Sequence, residues 1–176
     1  IALPEDAKLL EDKALKAKNI RRILMVCMGN ICRSPTAEAV CRAKIRERRL
    51  NIEVDSAGTI GYHQGDKPDN RAMAAGIKRG LSFDGMRARQ IVDADFEYFD
   101  LILAADNRNL VDLRSRCPLE YQYKLQLVLS YGNSEIDEVP DPYYGGTQGF
   151  ELVLDLLEQS IDSLLDQLAG KTNDTD

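Results

Sequence analysis

Cys27, five intervening residues, then Arg33 and Ser34 form the part of this chain best suited to covalent chemistry. The nucleophilic form of cysteine is the thiolate. Its ordinary pKa of about 8.5 falls to roughly 3.5–7.5 beside cations or at a helix N-terminus. Arginine offers a planar fork that grips two phosphoryl oxygens and does not lose its proton. Between them stand Gly29 and Asn30, residue types that take left-handed backbone angles readily, as a tight loop demands. A Ser34 hydroxyl turned toward the Cys27 sulfur would stabilise the thiolate both as attacker and as leaving group. The chemistry this set suggests is nucleophilic attack on phosphorus.

A Cys-x5-Arg spacing alone also describes a strand-end cysteine beside an unrelated arginine, so the flanking elements decide. Ile23-Leu24-Met25-Val26 is a short continuous apolar run and reads as a buried parallel strand ending at Cys27. Ser34-Pro35 opens a helix expected over about 35–49, with Ser34 as N-cap and Pro35 in the first turn. A tight loop from strand to helix turns backbone N–H groups toward one point, where the helix N-terminus favours an anion. Cys27 is expected at the floor of that phosphate site.

Hydrolysis of a phosphate monoester also needs a proton for the departing oxygen. Asp141 is the candidate general acid: it lies between Pro140 and Pro142, which limit backbone freedom around it. Tyr143 and Tyr144 follow directly and are expected to wall an aromatic substrate.

Further strands are expected at 52–55, 101–105 and 125–129, and helices at about 69–80, 107–115 and 147–169. Asp69 or Asn70 can cap the second helix, and Gly80 can end it. The last helix places Val153, Leu157, Ile161, Leu164 and Leu168 on one face and acidic residues on the other. Residues 1–20 read as a peripheral extension, 21–170 as a single domain, and 171–176 as a disordered tail. Strands alternating with helices imply an α/β fold, a parallel sheet with helices on both faces. Ligands in such folds sit beyond the carboxyl ends of the strands, where the Cys27 loop falls.

Cys27-Met28-Gly29-Asn30-Ile31-Cys32-Arg33-Ser34, together with Asp141-Pro142-Tyr143-Tyr144, resembles the low-molecular-weight protein tyrosine phosphatase family. Asp55-Ser56-Ala57-Gly58-Thr59, Ala88-Arg89-Gln90 and Phe99-Asp100-Leu101-Ile102-Leu103 also match its pattern, and the likeness spans roughly 22–169. The resemblance implies a four-stranded parallel sheet, hydrolysis of phosphotyrosine monoesters through a phosphocysteine intermediate, and no metal or other cofactor. Carried onto this sequence, Cys27 is the nucleophile, Arg33 binds phosphate, and Asp141 protonates the phenol and then deprotonates water. Met28, Gly29, Asn30, Ile31, Cys32 and Ser34 form the substrate-binding loop, with Asn30 held by Ser56 behind it. Tyr62, Tyr143 and Tyr144 line the rim. Cys32 stands where redox-protected members carry a cysteine that pairs reversibly with the nucleophile. The chain departs from some members in having Met86 where they have a histidine linked to the Asn30 network.

Composition bounds the rest. The chain has 176 residues, 44% of them hydrophobic, enough for one sizeable core. A net charge of −6 argues against general nucleic-acid binding. Cations cluster in 16–49 and acids beyond Ser134, which reads as solvated helix faces or a basic flank drawing in a dianion. No stretch reaches the length of a membrane span and no signal-peptide pattern stands at the start. Four cysteines without a disulfide framework suggest free thiols, and the expected location is the cytoplasm. The expected partners are phosphotyrosine-containing proteins, with inorganic phosphate as product. Protein-arginine phosphatases share this loop but differ at Ile31, where the known branch has threonine. Arsenate reduction needs relay cysteines, and Cys41 and Cys117 stand at the wrong spacing. A phosphocysteine carrier would lack Arg33 and Asp141.

Overall fold

The computed structural model describes residues 19–142 and 146–170. Tyr143 and Tyr144, the tail at 171–176 and nearly all of the 1–20 extension lie outside the described residues. Four strands form one parallel sheet in the order β2-β1-β3-β4: β1 is Arg22–Cys27, β2 Glu53–Gly58, β3 Leu101–Ala104 and β4 Leu125–Leu127. The helices are α1 (Arg33–Glu47), α2 (Asn70–Lys78), α3 (Asp93–Tyr98), α4 (Asn107–Arg116) and α5 (Gly146–Gly170).

The pleat sorts each central strand between two layers. Along β1, Ile23, Met25 and Cys27 join a core with α1, α2 and α5, while Leu24 and Val26 face α3 and α4. In β3, Leu101 and Leu103 face the first layer and Ile102 and Ala104 the second. Both faces are buried, which is why these strands read as unbroken apolar runs. From β1 the chain passes to β2 on one side and later to β3 on the other. The carboxyl end of β1 is therefore the point where strand order reverses, and the Cys27 loop occupies it.

Several elements differ from the sequence expectation. Helix α1 begins at Arg33, so its N-cap position is Cys32, which makes no side-chain capping bond. Ser34 lies inside the first turn, and its hydroxyl is committed to Cys27 and Asn30 instead of a cap. Asp69 does cap α2, accepting from the backbone N–H of Arg71 and Ala72. Helix α3 was not expected; Asp95 nucleates it by accepting from the Val92 N–H at 2.8 Å. The fourth strand ends at Leu127, and Val128–Tyr131 form a 3-10 turn.

All five residues of the expected apolar face of α5 are buried. Its acidic face meets the basic cluster across the fold. Lys44 and Arg48 pair with Asp162 at 2.9 and 2.8 Å, and Arg79 pairs with Glu151 and Glu158 at 2.6 and 2.9 Å. Among the described residues, no helix is long and apolar enough to cross a membrane.

Candidate active site

The loop after β1 folds back so that its own backbone addresses the Cys27 sulfur. The N–H groups of Asn30 and Ser34 point at Sγ from 3.3 and 3.4 Å, and Ser34 Oγ lies 3.0 Å away. Asn30 holds the turn at φ 59°, the left-handed region that asparagine tolerates better than most residues. Strand β2 has to pass close by: a Cβ on Gly58 would stand 2.6 Å from the Met28 carbonyl oxygen, so only glycine leaves room there. Thr59 and Ile60 then donate their N–H groups to the carbonyls of Cys27 and Met28 at 2.9 and 3.1 Å, fastening the loop to the end of the sheet.

Asn30 is 2% exposed, and its amide has each of its groups engaged. Oδ1 accepts from the Arg89 backbone N–H at 3.0 Å, which fixes the orientation of the amide. Nδ2 donates to Ser34 Oγ at 2.8 Å and to Ser56 Oγ at 3.0 Å. Because Ser34 Oγ receives a proton from Asn30, its own hydroxyl proton is left for Cys27, which assigns the Ser34–Cys27 contact as O–H donating to sulfur. Ser56 in turn donates to Glu38 Oε1 at 2.7 Å, and Glu38 pairs with Arg42. Arg89 is itself clamped: its guanidinium takes both oxygens of Asp95, at 2.9 and 3.1 Å, and Asp55 at 3.2 Å. Met86 stands apart from this network, packed against Ala39 and Phe83. Asn30 is braced without a histidine.

Arg33 is 8% exposed and opens α1. Its Nη1 donates to Asp106 Oδ2 at 2.7 Å and to the Val139 carbonyl at 3.1 Å. Asp106 is held by capping α4, where its other oxygen accepts from the Asn109 N–H at 2.8 Å. Burial works against the Arg33 charge, but Cys27, the bond to Asp106, and the carboxylates of Asp106 and Asp141 outweigh it and hold the pKa above its ordinary value. Cys32 behaves in the opposite way. Burial, then the negative charges of Asp69, Cys27 and Asp141, push its thiol up to about 12, against a smaller pull from Arg71.

These groups open onto a cleft of about 350 Å³. Cys27, Met28, Gly29, Ile31, Cys32 and Arg33 form its floor and sides, and Asp141 and Tyr62 reach it from distant parts of the chain. Tyr62 is 83% exposed at the rim. Asn30, Ser34 and Ser56 lie beneath. Of the expected site residues, only Tyr143 and Tyr144 fall outside the described residues.

Five participants are not among the expected site residues. Ile60 and His63 also line the cleft, with His63 edge-on to Tyr62 at 4.9 Å and its Nδ1 3.2 Å from Asp66. Asp106 anchors Arg33, Glu38 ends the hydrogen-bonded chain, and the Arg89 backbone orients Asn30. Asp106 carried a readable signal as a helix N-cap before Asn107, and Glu38 as an acid within the small apolar run Ala37–Cys41. Neither signal names its partner.

The family described as low molecular weight phosphotyrosine protein phosphatase matches residues 22–174. The low molecular weight phosphotyrosine protein phosphatase of Homo sapiens is 41% identical, over 76% of this chain and 86% of that protein. The low molecular weight protein-tyrosine-phosphatase YfkJ of Bacillus subtilis is 40% identical, over 81% of this chain and 92% of its own length. Among solved structures, a protein tyrosine phosphatase from Entamoeba histolytica, with Hepes in its active site, superposes with a TM-score of 0.83. It is 41% identical, covering 86% of this chain and 99% of that one. The chain belongs to the low molecular weight phosphotyrosine protein phosphatase family.

Proposed function

We propose that this chain hydrolyses phosphotyrosine in proteins through a phosphocysteine intermediate, with Cys27 as nucleophile, Arg33 as phosphate clamp and Asp141 as general acid and base. The observation that carries the reading is the convergence on one cleft of a sulfur held by two N–H groups and a hydroxyl, a buried arginine, and a carboxyl from a distant loop. Nη1 of Arg33 is occupied by Asp106 and Val139, which leaves Nε and Nη2 to meet two phosphoryl oxygens.

In the first step the Cys27 thiolate attacks phosphorus in line and the P–O bond to the tyrosyl ring breaks. Asp141 gives its proton to the departing phenolic oxygen. In the second, Asp141 takes a proton from water, the water oxygen attacks phosphorus, and the P–S bond breaks to release inorganic phosphate and the thiolate. The N–H groups of the loop and Arg33 carry the charge that builds on the equatorial oxygens. Met28, Ile31, Ile60 and Tyr62 stand where a substrate ring would pass, with Tyr143 and Tyr144 assigned to the same rim from the sequence. A phosphate on a short seryl side chain would not reach the floor. A reducing compartment such as the cytoplasm suits four free, buried cysteines.

The test compares p-nitrophenyl phosphate hydrolysis and phosphate release from phosphotyrosine, phosphoserine and phosphoarginine peptides. The reading expects phosphotyrosine to be preferred. It expects Cys27→Ser to be inactive and Asp141→Ala to be slowed about 10²–10⁴-fold, the usual weight of a general acid. Preference for phosphoarginine, or full activity in Cys27→Ser, contradicts it.

A further inference from the structure

Glu38 is only 4% exposed, yet it is ionisable and touches no group that would meet substrate. The carboxyl sits on α1 behind the loop. Burial pushes it up, while the hydrogen bond from Ser56 and the charge of Arg42 pull it down, and Asp55 on β2 pushes up again. Arg42 is the cation of this group: it lies one turn along α1, pairs with Glu38 and donates to the Val54 carbonyl of β2 at 3.1 Å. The nearby Arg89 is occupied by Asp55 and Asp95.

The charge on Glu38 decides which way a hydroxyl points. Ser56 has one proton. While Glu38 is a carboxylate, that proton goes to Oε1, and the Ser56 lone pairs are left to accept from Asn30 Nδ2. Because Arg42 donates to Oε2, a proton taken up by Glu38 goes to Oε1, which then donates toward Ser56, so the Ser56 proton turns away from it and competes with the N–H of Asn30. The amide then loses one of the three bonds that hold Asn30 in its left-handed turn. That amide supplies the proton to Ser34 Oγ which directs the Ser34 hydroxyl to sulfur.

We propose that Arg42, whose side chain is 41% exposed and outside the cleft, is a positioning residue for the chemistry at Cys27. Its guanidinium holds Glu38 as a carboxylate, so that donation runs outward from Asn30 along both arms, through Ser56 to Glu38 and through Ser34 to Cys27. The inference rests on the phosphatase reading of the same cleft. It adds a charge outside the pocket that tunes turnover without touching substrate.

Steady-state kinetics with p-nitrophenyl phosphate, from about pH 5 to 8, test it, starting just above the ordinary glutamate value of about 4.3 because burial raises Glu38. Arg42→Ala is expected to lower kcat about three- to tenfold, the weight of one neutral hydrogen bond, with KM nearly unchanged. Relative to the native protein, the deficit should deepen as pH falls, because the unpaired Glu38 takes up a proton more easily. Arg42→Lys should restore most of the rate. Glu38→Gln should show a deficit that does not change with pH, and adding Arg42→Ala to it should cost less than about twofold more, since coupled sites are not additive. A native rate and pH profile in Arg42→Ala, or losses that multiply in the double variant, overturns the proposal. A native protein that releases no phosphate overturns the phosphatase reading instead. Iodoacetate labelling of Cys27, followed by the mass of the modified peptide, then still decides: slower labelling in Arg42→Ala supports the positioning role, and equal labelling contradicts it.

Discussion

Single side chains here are controlled by partners distant in sequence. Arg33 depends on Asp106, 73 residues away, for its orientation. Asp106→Ala is expected to lower kcat/KM for an aryl phosphate about 10–100-fold, matching the loss of one charge-assisted hydrogen bond, with the fold kept. Steady-state kinetics beside a thermal melt check both halves. The two loop cysteines should part company in reactivity. A Cys32 thiol pushed up to about 12 stays protonated through the neutral range, so its thiolate fraction at pH 7 is negligible. Limiting iodoacetate near neutral pH is therefore expected to modify Cys27 ahead of Cys32, read from the peptide masses; faster labelling of Cys32 would contradict that order. At this scale spacing and residue type made Cys27, Arg33 and Asp141 readable as candidates, and the fold brings all three to one cleft. Asp106, Glu38 and the Arg89 backbone stayed hidden because a hydrogen-bond partner is chosen by the fold, and nothing local to those residues names it.

Elements position these groups through a few tight contacts. Gly58 ends β2 against the Met28 carbonyl, and Gly58→Ala would place its Cβ 2.6 Å from that oxygen. The loop must then shift, so the variant is expected to lose most of its activity and about 1–3 kcal/mol of stability, by kinetics and urea unfolding. Helix α2 is tied to the loop at its start, where the Asp69 N–H donates to the Ile31 carbonyl at 2.8 Å and its carboxylate caps the helix. Asp69→Ala is expected to cost about 0.5–2 kcal/mol. Strands β1 and β3 were readable as short apolar runs because both sheet faces are covered. The 3.6-residue periodicity of α5 was equally clear. Helix α1 was placed two residues late: Ser34-Pro35 looks like an N-cap and first turn, but the Ser34 hydroxyl is claimed by Cys27 and Asn30. Helix α3 escaped because six residues are too few for a period to show. The end of the fourth strand escaped because the apolar residues Val128 and Leu129 continue into a 3-10 turn.

Across the whole molecule, charge asymmetry along the chain becomes complementarity in space. The cations of α1 and the acids of α5 face each other, with Asp162 between Lys44 and Arg48. Burial raises the Asp162 pKa, but the bonds from Lys44 and Arg48 outweigh it and hold the carboxyl below its ordinary value. Its contribution to stability is therefore present above about pH 3.9 and fades as pH drops through the lower folded value. Asp162→Asn is expected to be modestly less stable than the native chain at neutral pH, with the gap closing in acid, as denaturant titrations across pH would show. The α/β class and the location of the site followed from the alternation of strands and helices and from the rule that ligands gather at strand carboxyl ends. The meeting of the two charge clusters was not legible, because sequence separation carries no information about which helices become neighbours. Phosphocysteine chemistry at the carboxyl end of β1 is tested by mass spectrometry of Asp141→Ala quenched in acid during turnover of p-nitrophenyl phosphate. One phosphate is expected on the Cys27 peptide, absent from Cys27→Ser. A turning-over enzyme whose Cys27 peptide never carries phosphate, or whose phosphate sits on another residue, would contradict it.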